Sequence, residues 1–173
     1  VSDVRYPTGW RIELLTKSHP RKRFCSGQTQ VDAWLKQSAL QSQSKHLSST
    51  KVLIDAETRL VGYYTLAVSQ VDFSDLPGDL AKTLPKRQLP VAVLAWLGVD
   101  EEYQGQGLGR RLLASALRDA YEASHTFAFI AVILDCADAA SKAFYQRFDF
   151  AELPGYPLRL YLPFKTLAQM MKV

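Results

Sequence analysis

The sequence predicts a mixed α/β fold, and three observations carry that prediction. With 173 residues, 47% hydrophobic and 22% charged, the chain can bury one substantial core and is too short for two. We therefore expect a single domain over residues 1–173. Segments with strand-like composition alternate with segments of helical periodicity along its length. At the centre stand a nearly continuous apolar run, a glycine-rich turn and an amphipathic stretch, the order strand, turn, helix.

Taken in order, Trp10 to Leu15 alternates like a strand, and Ser18-His19-Pro20 breaks it. Val31, Trp34, Leu35 and Ala39 then share one helical face, which predicts a helix capped by Ser26 and running to about Lys45. Lys51 to Ile54 and Leu60 to Val71 read as an antiparallel hairpin turning at Asp55-Ala56-Glu57-Thr58. From Asp72 to Pro90, prolines and a Pro77-Gly78 pair predict a long loop with at most a short helix over Leu80 to Thr83. Such loops are either functional or plain connectors, and both readings fit here. Val91 to Val99 is the central strand, ended by Asp100. Leu108, Leu112, Leu113, Ala116, Leu117, Ala120 and Tyr121 give the amphipathic helix that follows the glycines. Phe127 to Leu134 reads as a buried strand, Ala139 to Phe148 as a short helix, and Arg159 to Leu162 as a last strand before a helical tail.

Composition narrows the function. No apolar run approaches the roughly 20 residues that span a bilayer, and Val1-Ser2-Asp3-Val4-Arg5-Tyr6 lacks a signal-peptide pattern. A soluble cytoplasmic protein with no membrane partner is expected. Cys25 and Cys136 are too few for a disulfide framework and stand in no metal-ligand spacing, so they read as reduced, mostly buried thiols, and no metal is expected. A net charge of +4 permits an anionic partner. Its cations cluster at Arg21-Lys22-Arg23, at Lys82 with Lys86-Arg87, and at Arg110-Arg111.

The chemistry is concentrated in Gln104-Gly105-Gln106-Gly107-Leu108-Gly109 and Arg110. Glycines between a buried strand and a helix leave backbone N–H groups and the helix dipole facing an anion, with no Cβ in the way. A P-loop would need Gly-Lys-Ser/Thr, whereas Leu108-Gly109-Arg110 follows here. A dinucleotide fingerprint would need an early strand of a repeating βαβ unit and a ribose-binding acid about 20 residues on. Neither context is present.

Val99-Asp100, Gln104-x-x-Gly107-x-Gly109 and Leu112-Leu113 resemble the acetyl-CoA signature of the GNAT superfamily of N-acetyltransferases, written Gln/Arg-x-x-Gly-x-Gly/Ala. Ala143-Phe144-Tyr145-Gln146-Arg147-Phe148-Asp149-Phe150 resembles a second segment of that superfamily, with Asp149 where glycine is usual. Aspartate accepts positive φ less readily than glycine. The resemblance implies the GNAT fold: a mixed sheet of about six to seven strands flanked by helices, with acetyl-CoA as cosubstrate. A narrower resemblance covers Phe24-x-Ser26-Gly27, Val31-Asp32-x-Trp34-Leu35, Gly62-Tyr63-Tyr64-Thr65-Leu66, Leu89-Pro90-Val91 and Leu160-Tyr161-Leu162-Pro163. These are similar to GNAT toxins of bacterial toxin–antitoxin modules. That implies acetylation of the α-amine of aminoacyl-tRNA, a ribbon-helix-helix antitoxin as partner, and a homodimer. Many such toxins carry arginine at the position of Trp96, so the indole bears on the acceptor pocket.

Acyl transfer from a thioester to an amine needs a neutral amine, an oxyanion stabiliser and a proton for the departing thiolate. The resemblance assigns the second to backbone N–H groups around Leu97, Gly98 and Val99, and the third to Tyr145, with Phe144 packing against the pantetheine arm of the cosubstrate. The first is informative through an absence: Val91 to Val99 holds no carboxylate or histidine. An α-amine with a pKa near 7.7–8.0 needs a base less than lysine near 10.4, and esterification of its carboxyl lowers it further. A base acting through water from Asp100, or from a distant loop, also fits. Arg21, Lys22, Arg23, Lys86 and Arg87 are the candidate tRNA contacts. His19, His46 and His125 lie outside these motifs and read as surface or satisfied side chains. The competing readings are a GNAT acting on a small amine or a protein N-terminus, and a CoA-binding module without turnover.

Overall fold

The computed structural model describes residues 4–172. Its strands are β1 (Arg11–Leu14), β2 (Ser49–Ile54), β3 (Leu60–Asp72), β4 (Gln88–Val99), β5 (Ala131–Asp135), β6 (Ala151–Leu153) and β7 (Tyr156–Pro163). They form a seven-stranded sheet in the order β1-β2-β3-β4-β5-β7-β6. The helices are α1 (Thr29–Ala33), α2 (Ala39–Ser44), α3 (Gly78–Ala81), α4 (Leu108–Ala123), α5 (Ala139–Gln146) and α6 (Phe164–Met171). No helix among the described residues is long and apolar enough to cross a membrane. The chain divides into two compact units, one of residues 4–67 and 94–118, the other of residues 68–93 and 119–172.

In the first unit β1, β2 and β3 pair antiparallel, and the turn after β2 closes on Asp55, whose Oδ1 accepts the N–H of Glu57 and of Arg59. The helix expected from Ser26 to Lys45 is interrupted: a π turn over Trp34–Ser38 joins α1 to α2. Leu35, inside that turn, and Ala39, just after it, are both fully buried. Ser26 does not cap the helix, because Gln28 occupies that position without a side-chain cap. Ser26 instead forms its own turn: its Oγ accepts the Gln28 N–H, and its N–H donates to Asp32 Oδ1. Leu15, Phe24, Val31, Leu35, Val52, Ile54 and Tyr63 make one apolar cluster in this unit. Along α4 the residues predicted from periodicity are buried from Leu108 to Ala120, whereas Tyr121 is only half-buried.

In the second unit β4 runs parallel to β5, with Ala92 opposite Val132, and β7 pairs antiparallel with both β5 and β6. The structure differs from the sequence expectation at four places here. The strand predicted from Phe127 begins only at Ala131, because the Phe127 N–H closes the end of α4 on the Ala123 carbonyl and leaves its ring exposed. β4 starts three residues before Val91 and passes through Pro90, whose carbonyl accepts the Ile130 N–H. β6, three residues long, is too short to show a period and was not anticipated. The region predicted as loop holds a 3-10 turn over Phe73–Asp75 and then α3, two residues earlier than the helix expected there.

Candidate acetyl-CoA loop and proton donor

In the first unit β4 ends at Val99, and the residues after it are tied down as far as Gln104. Asp100 is buried, and its carboxylate accepts two backbone N–H groups, from Cys25 at 3.0 Å and Glu102 at 3.0 Å. Each of its oxygens thus takes one backbone N–H that holds the chain, so the carboxylate positions the residues that follow β4. The Glu101 N–H returns to the Cys25 carbonyl, and the Asp100 N–H to that of Val61. On the other side, the Tyr103 hydroxyl donates to Asp55 Oδ2 at 2.7 Å. Burial raises the Asp55 pKa, but this bond and the Glu57 and Arg59 N–H groups outweigh it and hold the carboxyl below its usual range. Burial, and then the same bond, raise the Tyr103 phenol.

Gly105 and Gly107 follow with φ of +80° and +77°, a region that residues with a Cβ enter at a cost. Nothing lies within 4 Å of a Cβ built on either, so these glycines serve backbone conformation and leave open space above the loop. Leu108 is buried and seats the start of α4, while Gln106 and Arg110 are exposed and Gly109 is half-buried. The first bond of α4 runs from the Arg111 N–H to the Gly107 carbonyl, so the N–H groups of Leu108, Gly109 and Arg110 have no partner within the helix. A sixteen-residue helix ends in unused donors beside two exposed glycines, which suits a pyrophosphate. Gln104 points elsewhere: its side-chain nitrogen donates to the Ser26 and Val99 carbonyls.

Behind the loop, Leu97 and Val99 are half-buried and Gly98 is buried in β4. A Cβ at Gly98 would meet Val31 at 2.5 Å and Tyr63 at 3.3 Å, so its glycine permits close packing. Trp96 stacks on Trp34 with centroids 5.4 Å apart and planes 13° apart. The Trp34 N–H donates to Thr65, which is bonded to Thr50. One face of the Trp96 ring is therefore already occupied by its own unit.

In the second unit, Asp138 caps α5 by accepting the Ser141 N–H, and this bond lowers its pKa. Tyr145 lies edge-on to Phe144 and Phe150. Phe144 is enclosed by Phe148 and by the Arg147 guanidinium. Burial, and then the nearby Cys136 thiol, push the Tyr145 phenol far above its ordinary value. Among the described residues nothing hydrogen-bonds the Tyr145 hydroxyl, and it is not sealed from solvent. It is a neutral, unengaged donor. Asp149 adopts φ of +66°, so the turn keeps the left-handed conformation without glycine.

The remaining candidates are plain in their surroundings. Lys22, Arg23, Lys86, Arg87, Arg110 and Arg111 are exposed, Arg21 is half-buried, and none has an ion-pair partner among the described residues. Cys136 is buried, but Cys25 is exposed, contrary to expectation, because its backbone faces Asp100 while its thiol turns out toward Glu101. His19 is satisfied by Glu13 and Thr16. No group of three or more His, Cys, Asp or Glu among the described residues could hold a metal ion.

Residues 12–150 match the model of the acetyltransferase (GNAT) family. The chain belongs to the GNAT family. Among GNAT relatives, a tRNA-acetylating toxin of Mycobacterium tuberculosis is 34% identical over 142 residues, 82% of this chain and 84% of that protein. A probable toxin TacT of Sinorhizobium fredii is 30% identical over 162 residues, 88% of this chain and 90% of the other. The crystal structure of AtaTR bound with acetyl-CoA superposes with a TM-score of 0.83 at 25% identity, covering 94% of this chain and 98% of that one. Four residues that tie down the loop have no signal of that role in the sequence: Cys25 and Ser26 through their backbones, Asp55 and Tyr103. Phe24-x-Ser26-Gly27 was visible as a motif, but its hydrogen bonds join residues about 75 positions apart and leave no local pattern.

Proposed function

We propose that this chain is a bacterial, cytoplasmic toxin, a single GNAT domain working as a homodimer, that transfers acetyl from acetyl-CoA to the α-amine of aminoacyl-tRNA and so blocks translation. A ribbon-helix-helix antitoxin restrains it. The observation that carries the reading is the loop at Gly105 and Gly107, exposed, left-handed and opening onto the unused N–H groups of α4. The tRNA-acetylating relative at 34% identity supports the acceptor class.

Acetyl-CoA supplies the thioester when bound. The N–H groups of residues 105–110 take its phosphates, Arg110 adds charge, and backbone N–H groups near Leu97, Gly98 and Val99 take the oxyanion. Tyr145 offers its hydroxyl to the leaving sulfur. Full proton transfer from phenol to thiolate is unfavourable by roughly thirtyfold on ordinary pKa values near 10 and 8.5, and the raised phenol makes it more so. Tyr145 therefore acts as a hydrogen-bond donor that strengthens as charge builds on sulfur, while the proton shed by the attacking amine balances the reaction. Phe144 holds the tyrosine ring.

The test is incubation with labelled acetyl-CoA and either charged or deacylated total tRNA. Label should enter only the charged sample, in the acid-stable N-acetyl form. Label that instead entered free amines or protein N-termini, with charged tRNA left unmodified, would overturn the acceptor class and favour the other GNAT substrates.

A further inference from the structure

We infer that Gln104 is a positioning residue of the acetyl-CoA loop, acting through the loop backbone and not by touching the phosphates. The inference deepens the proposed function and rests on that reading of the loop. A carboxamide nitrogen has two hydrogens, and both are engaged here, at 2.8 Å to the Ser26 carbonyl and 2.9 Å to the Val99 carbonyl. The remaining Oε1 is only an acceptor and offers nothing to an anionic oxygen. Turning the amide over would set Oε1 against two carbonyl oxygens, so the partners themselves fix its orientation.

The two carbonyls belong to different segments. Val99 is the last residue of β4, and Ser26 lies in a strut, Cys25 to Gly27, that takes three bonds from the stretch between β4 and the glycines. Asp100 accepts the Cys25 N–H, Glu101 donates to the Cys25 carbonyl, and Gln104 donates to the Ser26 carbonyl. Gly27 completes the fit, since its φ is +87° and a Cβ there would stand 2.8 Å from Glu101 Oε1. Gln104 is the last of these ties before Gly105, whose open surroundings provide no other restraint. Removing it frees the glycines while Leu108 still seats α4 and Asp100 still holds the strut.

Gln104→Leu removes both N–H donors, and Gln104→Arg keeps a planar head with several. In the unliganded full chain, hydrogen exchange across residues 100–110 should be at least about tenfold faster for Gln104→Leu and within about threefold of wild type for Gln104→Arg. With acetyl-CoA, Gln104→Leu should raise KM roughly tenfold or more and leave kcat at saturation within about threefold, and Gln104→Arg should restore KM. Unchanged exchange in unliganded Gln104→Leu together with a raised KM would make Gln104 a direct ligand and overturn the inference. So would a KM unchanged in Gln104→Leu. A wild-type chain that bound no acetyl-CoA would instead overturn the proposed function, and the unliganded exchange would still decide the part played by Gln104.

Discussion

Tyr145 carries its proton throughout the physiological range, because burial holds the phenol above its ordinary pKa. Tyr145→Phe keeps the ring against Phe144 and Phe150 and removes only the donor. We expect kcat on charged tRNA to fall by about 10²–10⁴-fold with KM for acetyl-CoA little changed, measured with the acceptor saturating. A kcat near wild type would leave Tyr145 a packing residue and assign the sulfur's partner to water or substrate. The pH dependence has a definite sign. A raised phenol pKa favours the neutral form in the fold, so its stabilising contribution is complete below about pH 10 and is lost as pH rises through the folded value. Asp149 is a different single-residue matter: at φ of +66° it bears strain that glycine would relieve. Asp149→Gly should raise stability by about 0.5–1 kcal/mol, read as a higher denaturant midpoint with unchanged slope.

At the scale of elements, the strand–loop–helix unit from β4 to α4 is the part the sequence announced most clearly, and the reason is physical. Buried apolar faces impose a period, and positive-φ turns demand glycine, so Val91–Val99, Gly105, Gly107 and the buried face of α4 were all legible. What escaped was whatever has no local period: the three-residue β6, the π turn after α1, and the ties through Asp100, Gln104 and Tyr103 to residues far away in sequence. The glycines give a paired test. Gly107→Ala meets no neighbour and adds only left-handed strain of about 1–2 kcal/mol, whereas Gly107→Glu adds a negative charge where phosphate should lie. Calorimetry should find acetyl-CoA affinity reduced on the order of a hundredfold or more for Gly107→Glu, and far less for Gly107→Ala. Equal affinities in both would remove the phosphates from this loop. The Tyr103–Asp55 tie responds to acid. A depressed carboxyl pKa gives stability that is present above the unfolded value near 3.9 and is lost as pH falls through the folded one. Tyr103→Phe should lose about 1 kcal/mol at pH 7 and show a shallower loss of stability below pH 4 than wild type.

For the whole molecule the informative quantity is charge without partners. Arg11, His19, Arg59, Lys142 and Arg159 each pair with a carboxylate, while Arg21, Lys22, Arg23, Lys86, Arg87, Arg110 and Arg111 have no ion-pair partner among the described residues. Intramolecular stability does not account for those seven, and a polyanionic partner would. Sequence could place them in runs but could not say that they stay unpaired, since pairing depends on which carboxylates the fold brings near. If they meet the tRNA backbone, each phosphate neutralised releases counterions, and log K for charged tRNA should fall linearly with log salt. Lys86 and Arg87 are the cleanest to reverse, being exposed, outside the acetyl-CoA loop and away from Tyr145 in the chain. The double variant Lys86→Glu, Arg87→Glu should weaken all charged tRNAs alike, because phosphate contacts position the nucleic acid without reading bases, and should shallow the salt slope by about 2. Acetyl-CoA affinity serves as the internal control and should not move. An unchanged slope would take Lys86 and Arg87 out of the tRNA surface. A slope near zero in the wild type would remove electrostatic docking altogether and leave recognition to the aminoacyl end of the acceptor.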